Sequence, residues 1–194
     1  MSSTGIACMK KRGYGAFLRA CISLIALILV CFMWVDDNSH QQTARSVEES
    51  GEDVVDETQS GLDYWVGFLT TTGGAINPDK SYWYLLDYRW TGTQWVYRKA
   101  REMEGGLTAP NPEGIVLPLK WLEAHEASKQ LGILTAPDDN MQAQLKHLKA
   151  KATKFAENLK GQGLLSRNEA WINMTHTVGK TPEYPMPATT IKEK

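Results

Sequence analysis

The chain has 194 residues, enough for one ordinary domain or slightly more. Its 21 basic and 22 acidic residues nearly cancel, so net charge alone indicates no partner. The three cysteines, Cys8, Cys21 and Cys31, all precede residue 35 without metal-ligand spacing. This argues against a disulfide framework and favours buried thiols in a reducing, intracellular compartment.

A short helix and a strand pair are the first predicted elements. Residues 2–11 are expected to end a helix at Gly13 and Gly15. The run Ala20–Val35 is uncharged and rich in Ile, Leu and Val. We expect it to hold two strands with their junction near Ser23 or Ala26. Residues 38–45 are polar and predict a loop.

The same apolar run supports an alternative, a single-pass membrane protein anchored by about residues 17–35, with a soluble interaction domain after it. Lys10, Lys11 and Arg12 precede the run, as in a signal anchor. Arg19 limits the uncharged stretch, which as a helix would span about 24 Å against a hydrocarbon core of roughly 30 Å. Because periodicity does not separate a buried strand pair from a short helix, both interpretations remain open here.

The middle of the chain predicts a helix followed by β-structure. Apolar residues recur at helical spacing from Val54 to Leu69, and Ser46 with Glu49 fits a capping box that would begin this helix. Thr70 to Gly74 would end it. An aromatic hairpin is then expected over residues 81–97, with its rings forming hairpin core and cross-strand pairs rather than a base-stacking platform.

A glycine- and proline-rich exposed loop is predicted over 104–114, with short strands at 115–119 and 130–135. The C-terminal part predicts two helices. The first would begin at Pro137–Asn140, run to about Lys160 and stop at Gly161 and Gly163; the second would run from Ser166 to Val178. This order of elements predicts an α+β fold with its helices segregated late in the chain.

Five blocks of residues, in order, resemble the reverse transcriptases of non-LTR-like retrotransposons, from the end of the palm into the thumb. The blocks are Gly13-Tyr14-Gly15-Ala16; the apolar run into Trp34-Val35-Asp36-Asp37; Gly73-Gly74-Ala75 with Lys80-Ser81-Tyr82-Trp83-Tyr84-Leu85; Leu131-Gly132-Ile133 with Ala136-Pro137-Asp138; and Glu183-Tyr184-Pro185. The resemblance covers about Thr4 to Lys194.

The resemblance implies a partial polymerase palm over residues 1–135, built from antiparallel hairpins with a covering helix, and the start of a helical thumb over 136–194. It implies two-metal nucleotidyl transfer with Mg²⁺, for which Asp36 would be a metal ligand with Asp37 beside it. Lys80 would help to protonate the departing pyrophosphate, and Leu131 to Ile133 would lie where the primer end is held. The template–primer partner would be RNA and DNA.

Lysines of the first C-terminal helix are the candidate nucleic-acid contacts: Lys146, Lys149, Lys151 and Lys154. They alternate with apolar residues, so they would line a charged face that tracks template–primer phosphates. A third interpretation is a nucleic-acid-binding module that acts through this helix alone.

Enzymatic activity of this chain remains open, because a polymerase palm needs a further aspartate from an earlier strand. Residues 1–35 contain no Asp or Glu, and the fingers would lie before Met1. We therefore expect a polymerase fragment that is inactive as an isolated chain.

Overall fold

The computed structural model describes residues 2–19, 26–29, 31–34, 37–130, 132–161 and 166–179. The chain is α+β, as predicted, and combines helices with small two-stranded sheets. It divides into two compact units, Met1–Glu123 and Ala124–Lys194. The predicted boundary at residue 135 separates a palm portion from a thumb portion by function, not by compactness. It stays a prediction.

Two helices pack against each other in the first unit. Helix α1 (Ser2–Lys11) stops before Gly13, which has a φ of +86°, and helix α2 spans Gly51–Thr71. Met9 and Trp65 are buried at their contact. Partly buried residues surround this pair: Ile6, Tyr14, Tyr64, Phe68, Leu69 and Ile76. The amphipathic spacing of α2 thus buries one face against α1.

Helix α2 begins later than the sequence predicted. Ser50 is the N-cap: its Oγ accepts from Asp53 N at 3.2 Å, and Asp53 Oδ2 accepts from Ser50 N at 2.8 Å. The predicted box of Ser46 and Glu49 is wrong, because both side chains satisfy local backbone amides outside the helix. The two Ser-x-x-acid patterns are equivalent in sequence, and only the second lies at the start of the packed face.

The apolar run contains strands. Strand β1 (Ala16–Arg19) pairs antiparallel with β2 (Ala26–Leu29), and β3 (Cys31–Trp34) pairs antiparallel with β4 (Asp37–His40). The predicted junction at Ser23 lies outside the described residues, whereas β2 itself begins at Ala26. The predicted loop is wrong over residues 38–40, because ladder hydrogen bonds use the backbone and do not require apolar side chains. Among the described residues, no helix has the length and apolar character needed to cross a membrane.

The rest of the first unit is built from short strands. They are β5 (Tyr82–Trp83), β6 (Tyr88–Trp90), β7 (Trp95–Tyr97), β8 (Thr108–Pro110), β9 (Val116–Pro118) and β10 (Lys120–Trp121). Strands β6 and β7 form the predicted hairpin, β8 pairs with β9, and β5 pairs in parallel with β10. Short 3₁₀ turns lie at Pro78–Lys80 and Ala100–Glu102.

The predicted exposed loop over 104–114 is wrong at β8, where Ala109 is buried, and at Leu107 just before it, which is buried as well. Gln59 of α2 holds this strand: its side chain accepts from Thr108 N at 2.8 Å and donates to Thr108 O at 3.0 Å. Glycine and proline content predicted a loop, but a distant side chain satisfies the backbone here.

The second unit contains a hairpin and two helices. Strands β11 (Ser128–Gln130) and β12 (Ile133–Thr135) are antiparallel, with Gly132 at a φ of +87° between them. Helix α3 (Gln142–Gly161) packs on β12, and helix α4 (Arg167–Asn173) continues into a π-helical segment, Met174–Gly179. The buried Gln144 accepts from Leu134 N at 2.9 Å and so ties α3 to the hairpin. Helix α3 is described as far as Gly161, and the predicted stop at Gly161 and Gly163 involves residues 162–165, which lie outside the described residues.

Candidate functional site

The aspartate pair lies at the junction of two antiparallel strands. Trp34 of β3 pairs with Asp37 of β4, so Val35 and Asp36 connect the two strands in sequence. Asp37 is the first residue of β4. Asp36, and the positions of both carboxylates, lie outside the part of the chain that the structure describes. The backbone register therefore agrees with the predicted hairpin, and the carboxylate geometry stays a prediction.

A two-metal site needs more oxygen ligands than one pair of adjacent aspartates supplies. Two Mg²⁺ ions require near-octahedral oxygen coordination, and the hairpin offers two adjacent carboxylates. Residues 1–35 add no acidic side chain. Across the described ranges, no group of three His, Cys, Asp or Glu residues could hold a metal ion.

The far end of the aspartate hairpin is fixed on α2 by His40. Its ring centroid lies 4.9 Å from that of Trp65, with the planes at 61°. Both imidazole nitrogens are buried and have no hydrogen-bond partner among the described residues, and burial lowers the pKa of His40 to about 4. The imidazole is therefore neutral at pH 7 and acts as an aromatic packing group.

The segment after β4 is also tied to its surroundings. Gln42 Oε1 accepts from Gly15 N at 2.8 Å, and Gln42 Nε2 donates to Glu57 of α2. Arg45 forms an ion pair with the same glutamate and donates to Gly13 O at 2.7 Å. These contacts hold the segment that follows β4 between α2 and the turn after α1.

Lys80 is the last residue of the 3₁₀ turn Pro78–Lys80, and its side chain is exposed. The turn packs against β8. Among the described residues, no hydrogen bond or ion pair involves the Lys80 ammonium or connects this turn with β4. The structure thus leaves the predicted role of Lys80 beside the aspartates as a prediction.

The four candidate lysines of α3 are all exposed. Leu145, Leu148 and Phe155 are partly buried on the opposite side of the helix. The exposed side also carries one carboxylate, Glu157. Within the described residues, none of the four lysines is in an ion pair. Their charges are thus accessible to an anionic partner.

The β6–β7 hairpin carries an exposed aromatic surface that its sequence did not predict. The rings of Tyr88 and Tyr97 lie 4.6 Å apart, and those of Trp90 and Trp95 lie 5.4 Å apart. The predicted cross-strand packing is confirmed, but Trp90 is 53% and Trp95 67% exposed, so the expected hairpin core is wrong. Because side chains alternate between the two faces of a strand, the spacing of the four rings about the turn at Thr91–Gln94 predicts that they share one face. The sequence does not indicate whether another part of the chain covers that face.

The opposite face of this hairpin carries an ion-pair cluster. Arg98 Nη1 lies 2.8 Å from Asp87 Oδ2, and Arg98 Nη2 lies 2.5 Å from Glu52 Oε1 at the start of α2. The hydrogen bond from Arg98 lowers the pKa of Glu52 to about 2, and the two carboxylates raise the pKa of Arg98. Arg89 pairs with Glu102 at 3.1 Å. This side of the hairpin is therefore held against α2.

Comparisons of the chain with models of protein families, with curated proteins and with solved structures found no match.

Proposed function

We propose that this chain is the late palm and early thumb portion of a retrotransposon-type RNA-directed DNA polymerase. The observation that carries the proposal is the β3–β4 hairpin, which has Asp36-Asp37 at the junction of its strands and its far end packed on α2. In the reverse transcriptases that the sequence resembles, an aromatic-x-Asp-Asp box occupies such a hairpin. Trp34 to Asp37 is that box here.

The second unit supports a role in holding template–primer. Hairpin β11–β12 contains Gly132 and Ile133 of the block associated with the primer end, and α3 follows with four exposed lysines. Lysine ammonium groups bind phosphates without reading sequence. The proposed partner of this unit is therefore the sugar–phosphate backbone of an RNA–DNA duplex.

The proposed chemistry divides the residues by role. Mg²⁺, when bound, would activate the primer hydroxyl and hold the triphosphate. Asp36 and Asp37 would be ligands for it, and a carboxylate from another segment would complete the donor set. Lys80 would supply a proton to the departing pyrophosphate. The isolated chain is accordingly proposed to bind nucleic acid without polymerising it.

Template–primer binding tests the second unit directly. Fluorescence anisotropy with a labelled RNA–DNA duplex should show binding that weakens as salt rises. A variant with Lys146, Lys149, Lys151 and Lys154 replaced by Gln should bind more weakly, with a slope of log K against log salt smaller by about 0.9 for each lost phosphate contact. Replacing the exposed Lys10 and Lys11 of α1 by Gln is the control. Binding that is absent, or equally affected by both sets, would contradict the proposal.

The aspartates are tested in the complete reading frame. The 5′ end of the transcript should be sequenced upstream of Met1, and any in-frame segment expressed together with this chain. We expect that segment to encode an aspartate-bearing strand and fingers, and Asp36→Asn to abolish primer extension on an RNA template. In the isolated chain the same substitution should change Mn²⁺ binding little. Asp138→Asn, in another adjacent aspartate pair, is the matched control; an active Asp36→Asn enzyme would refute the assignment.

The single-pass membrane interpretation has less support. Strands β2 and β3 and all but the first residue of β1 fall within residues 17–35, where the anchor was predicted. Carbonate extraction of membranes separates the alternatives, because an integral anchor stays in the pellet whereas a peripheral protein is released.

A further inference from the structure

We propose that one face of the β6–β7 hairpin is a stacking site for the bases of a single-stranded nucleic acid. We call it the aromatic face; its members are Tyr88, Trp90, Trp95 and Tyr97. The resemblance to reverse transcriptases assigns no role to this hairpin. The inference depends neither on the aspartates nor on the lysines of α3.

The geometry provides two neighbouring ring platforms. Register pairs Tyr88 with Tyr97 and Trp90 with Trp95, and residues two apart on a strand share a face. Two cross-strand ring pairs therefore lie side by side on one surface. The hydroxyls of Tyr88 and Tyr97 are hydrogen-bonded at 3.1 Å, which orients one pair, while the Trp90–Trp95 pair is the more exposed. Aromatic rings on adjacent strands are a recurrent way to stack successive bases.

The hairpin is held in place before any ligand binds. Asp87, Arg89 and Arg98 lie on the opposite face, and their ion pairs reach Glu52 of α2 and Glu102. Arg98 N also donates to Asp87 O at 2.9 Å and extends the ladder beyond β6 and β7. Because ion pairs fix the opposite face of the hairpin, the aromatic face can bind a ligand with little further loss of conformational entropy.

Charge favours a polyanion as the occupant. Between Leu86 and Tyr97 the hairpin has one carboxylate, Asp87, which lies on the opposite face and is paired with Arg98. Lys99 and Arg101 follow the hairpin directly, and both are exposed. Among the described residues no ion pair includes either of them, although Glu102 adjoins Arg101 in sequence. Exposed cations that follow paired aromatic residues in the chain match the combination of positive charge and stacking rings that non-specific single-strand binders use.

The size of the aromatic face argues against a protein partner. Each strand has three residues, so the face is about 10 Å long and two strands wide. A stable protein interface buries about 800 Å² on each partner, several times the area of such a face. One or two bases match the two ring pairs.

Anisotropy with a labelled thymidine 20-mer tests the proposal on the full chain. The Trp90→Ala/Trp95→Ala variant should bind at least about tenfold more weakly, as expected for lost base stacking. Trp90→Phe/Trp95→Phe should keep most of the affinity because it keeps the rings, but it should lose much of the tryptophan quenching that the oligonucleotide causes. Lys99→Gln/Arg101→Gln should lower the salt slope by about 0.7 for each lost contact.

Trp171→Ala is the matched control, since Trp171 is 65% exposed in the second unit. Equal affinities of the unmodified chain, the alanine pair and the control would overturn the proposal. It would also fail if the alanine pair abolished a concentration-dependent dimer, because the occupant would then be a second copy. If the alanine pair does not fold, the quenching comparison with the phenylalanine pair decides. Replacing the α3 lysines separately distinguishes this site from the template–primer surface.

Discussion

Trp65 on α2 and the Trp90–Trp95 pair on the β6–β7 hairpin belong to aromatic segments of the same unit, yet they have opposite environments. Trp65 is 1% exposed, because α1 covers it with Met9 and the aspartate hairpin covers it with His40. Trp90 and Trp95 are more than half exposed, because only the other face of their hairpin is held by ion pairs. The spacing of aromatic residues therefore predicts which of them share a face, whereas the burial of that face depends on elements that are distant in the chain.

The largest expected effect comes from removing the covered ring. Trp65→Ala should lower the free energy of unfolding by about 3–5 kcal/mol, because it leaves a cavity between α1, α2 and His40. Urea denaturation followed by circular dichroism measures this. A loss below about 1 kcal/mol would show that the α1–α2 contact is not the core of the first unit.

Acid should weaken the same contact through His40. Its folded pKa of about 4 lies below the ordinary 6.5, so the unfolded chain binds the proton more readily. Stability should therefore be complete above about pH 6.5 and fall toward pH 4, by at most about 3 kcal/mol from this group. Urea midpoints over this range, with His40→Phe for comparison, measure the effect. A variant with an unchanged pH slope would exclude His40 as its cause.

A smaller effect is expected from removing the ion pairs that hold the β6–β7 hairpin on the face opposite the aromatic face. Arg98→Gln removes the partner that lowers the pKa of Glu52 to about 2, so this pKa should return toward 4.5. In the unmodified chain the stabilisation is present above about pH 4.5 and lost as the pH falls through about 2. Amide exchange at residues 95–97 should be faster in the variant at pH 7, with Arg101→Gln as the control. Equal exchange in both variants would show that the ion pairs do not hold the hairpin.

The smallest effect on stability is expected on the aromatic face itself. Trp90→Ala/Trp95→Ala removes a cross-strand ring pair but no buried core, so the free energy of unfolding should fall by about 1 kcal/mol or less. The same urea experiment measures it beside Trp65→Ala. A loss comparable to that of Trp65→Ala would mean that this face is covered in solution.

Local signals in the sequence predicted several boundaries. Gly13 ends α1, and the uncharged turn at Thr91–Gln94 joins β6 to β7. Each depends on residues that are neighbours in the chain, where glycine conformation and turn hydrogen bonding decide the outcome.

Elements that depend on distant partners were predicted less well. The parallel pair β5–β10 joins Tyr82 to Lys120, and β8 is held by Gln59. The polar residues of β4 gave no strand signal, since their pairing with β3 uses only the backbone. Of the candidate site, the sequence predicted the four lysines on an exposed helix face, whereas the strand that begins at Asp37 came only from the structure. The carboxylate geometry and the function of Lys80 stay predictions.

The sequence by itself determined the α+β order of elements, the alternation that collects four rings on one hairpin face, and the position of the aspartate pair after an apolar strand. These follow from local periodicity and turn chemistry. Only the tertiary structure decided that Trp65 is covered, and that the ring nitrogens of His40 are buried with no hydrogen-bond partner among the described residues. It also decided that Arg98 fixes one face of the hairpin and leaves the aromatic face open. Burial and charge pairing depend on which distant elements meet, and periodicity carries no information about that choice.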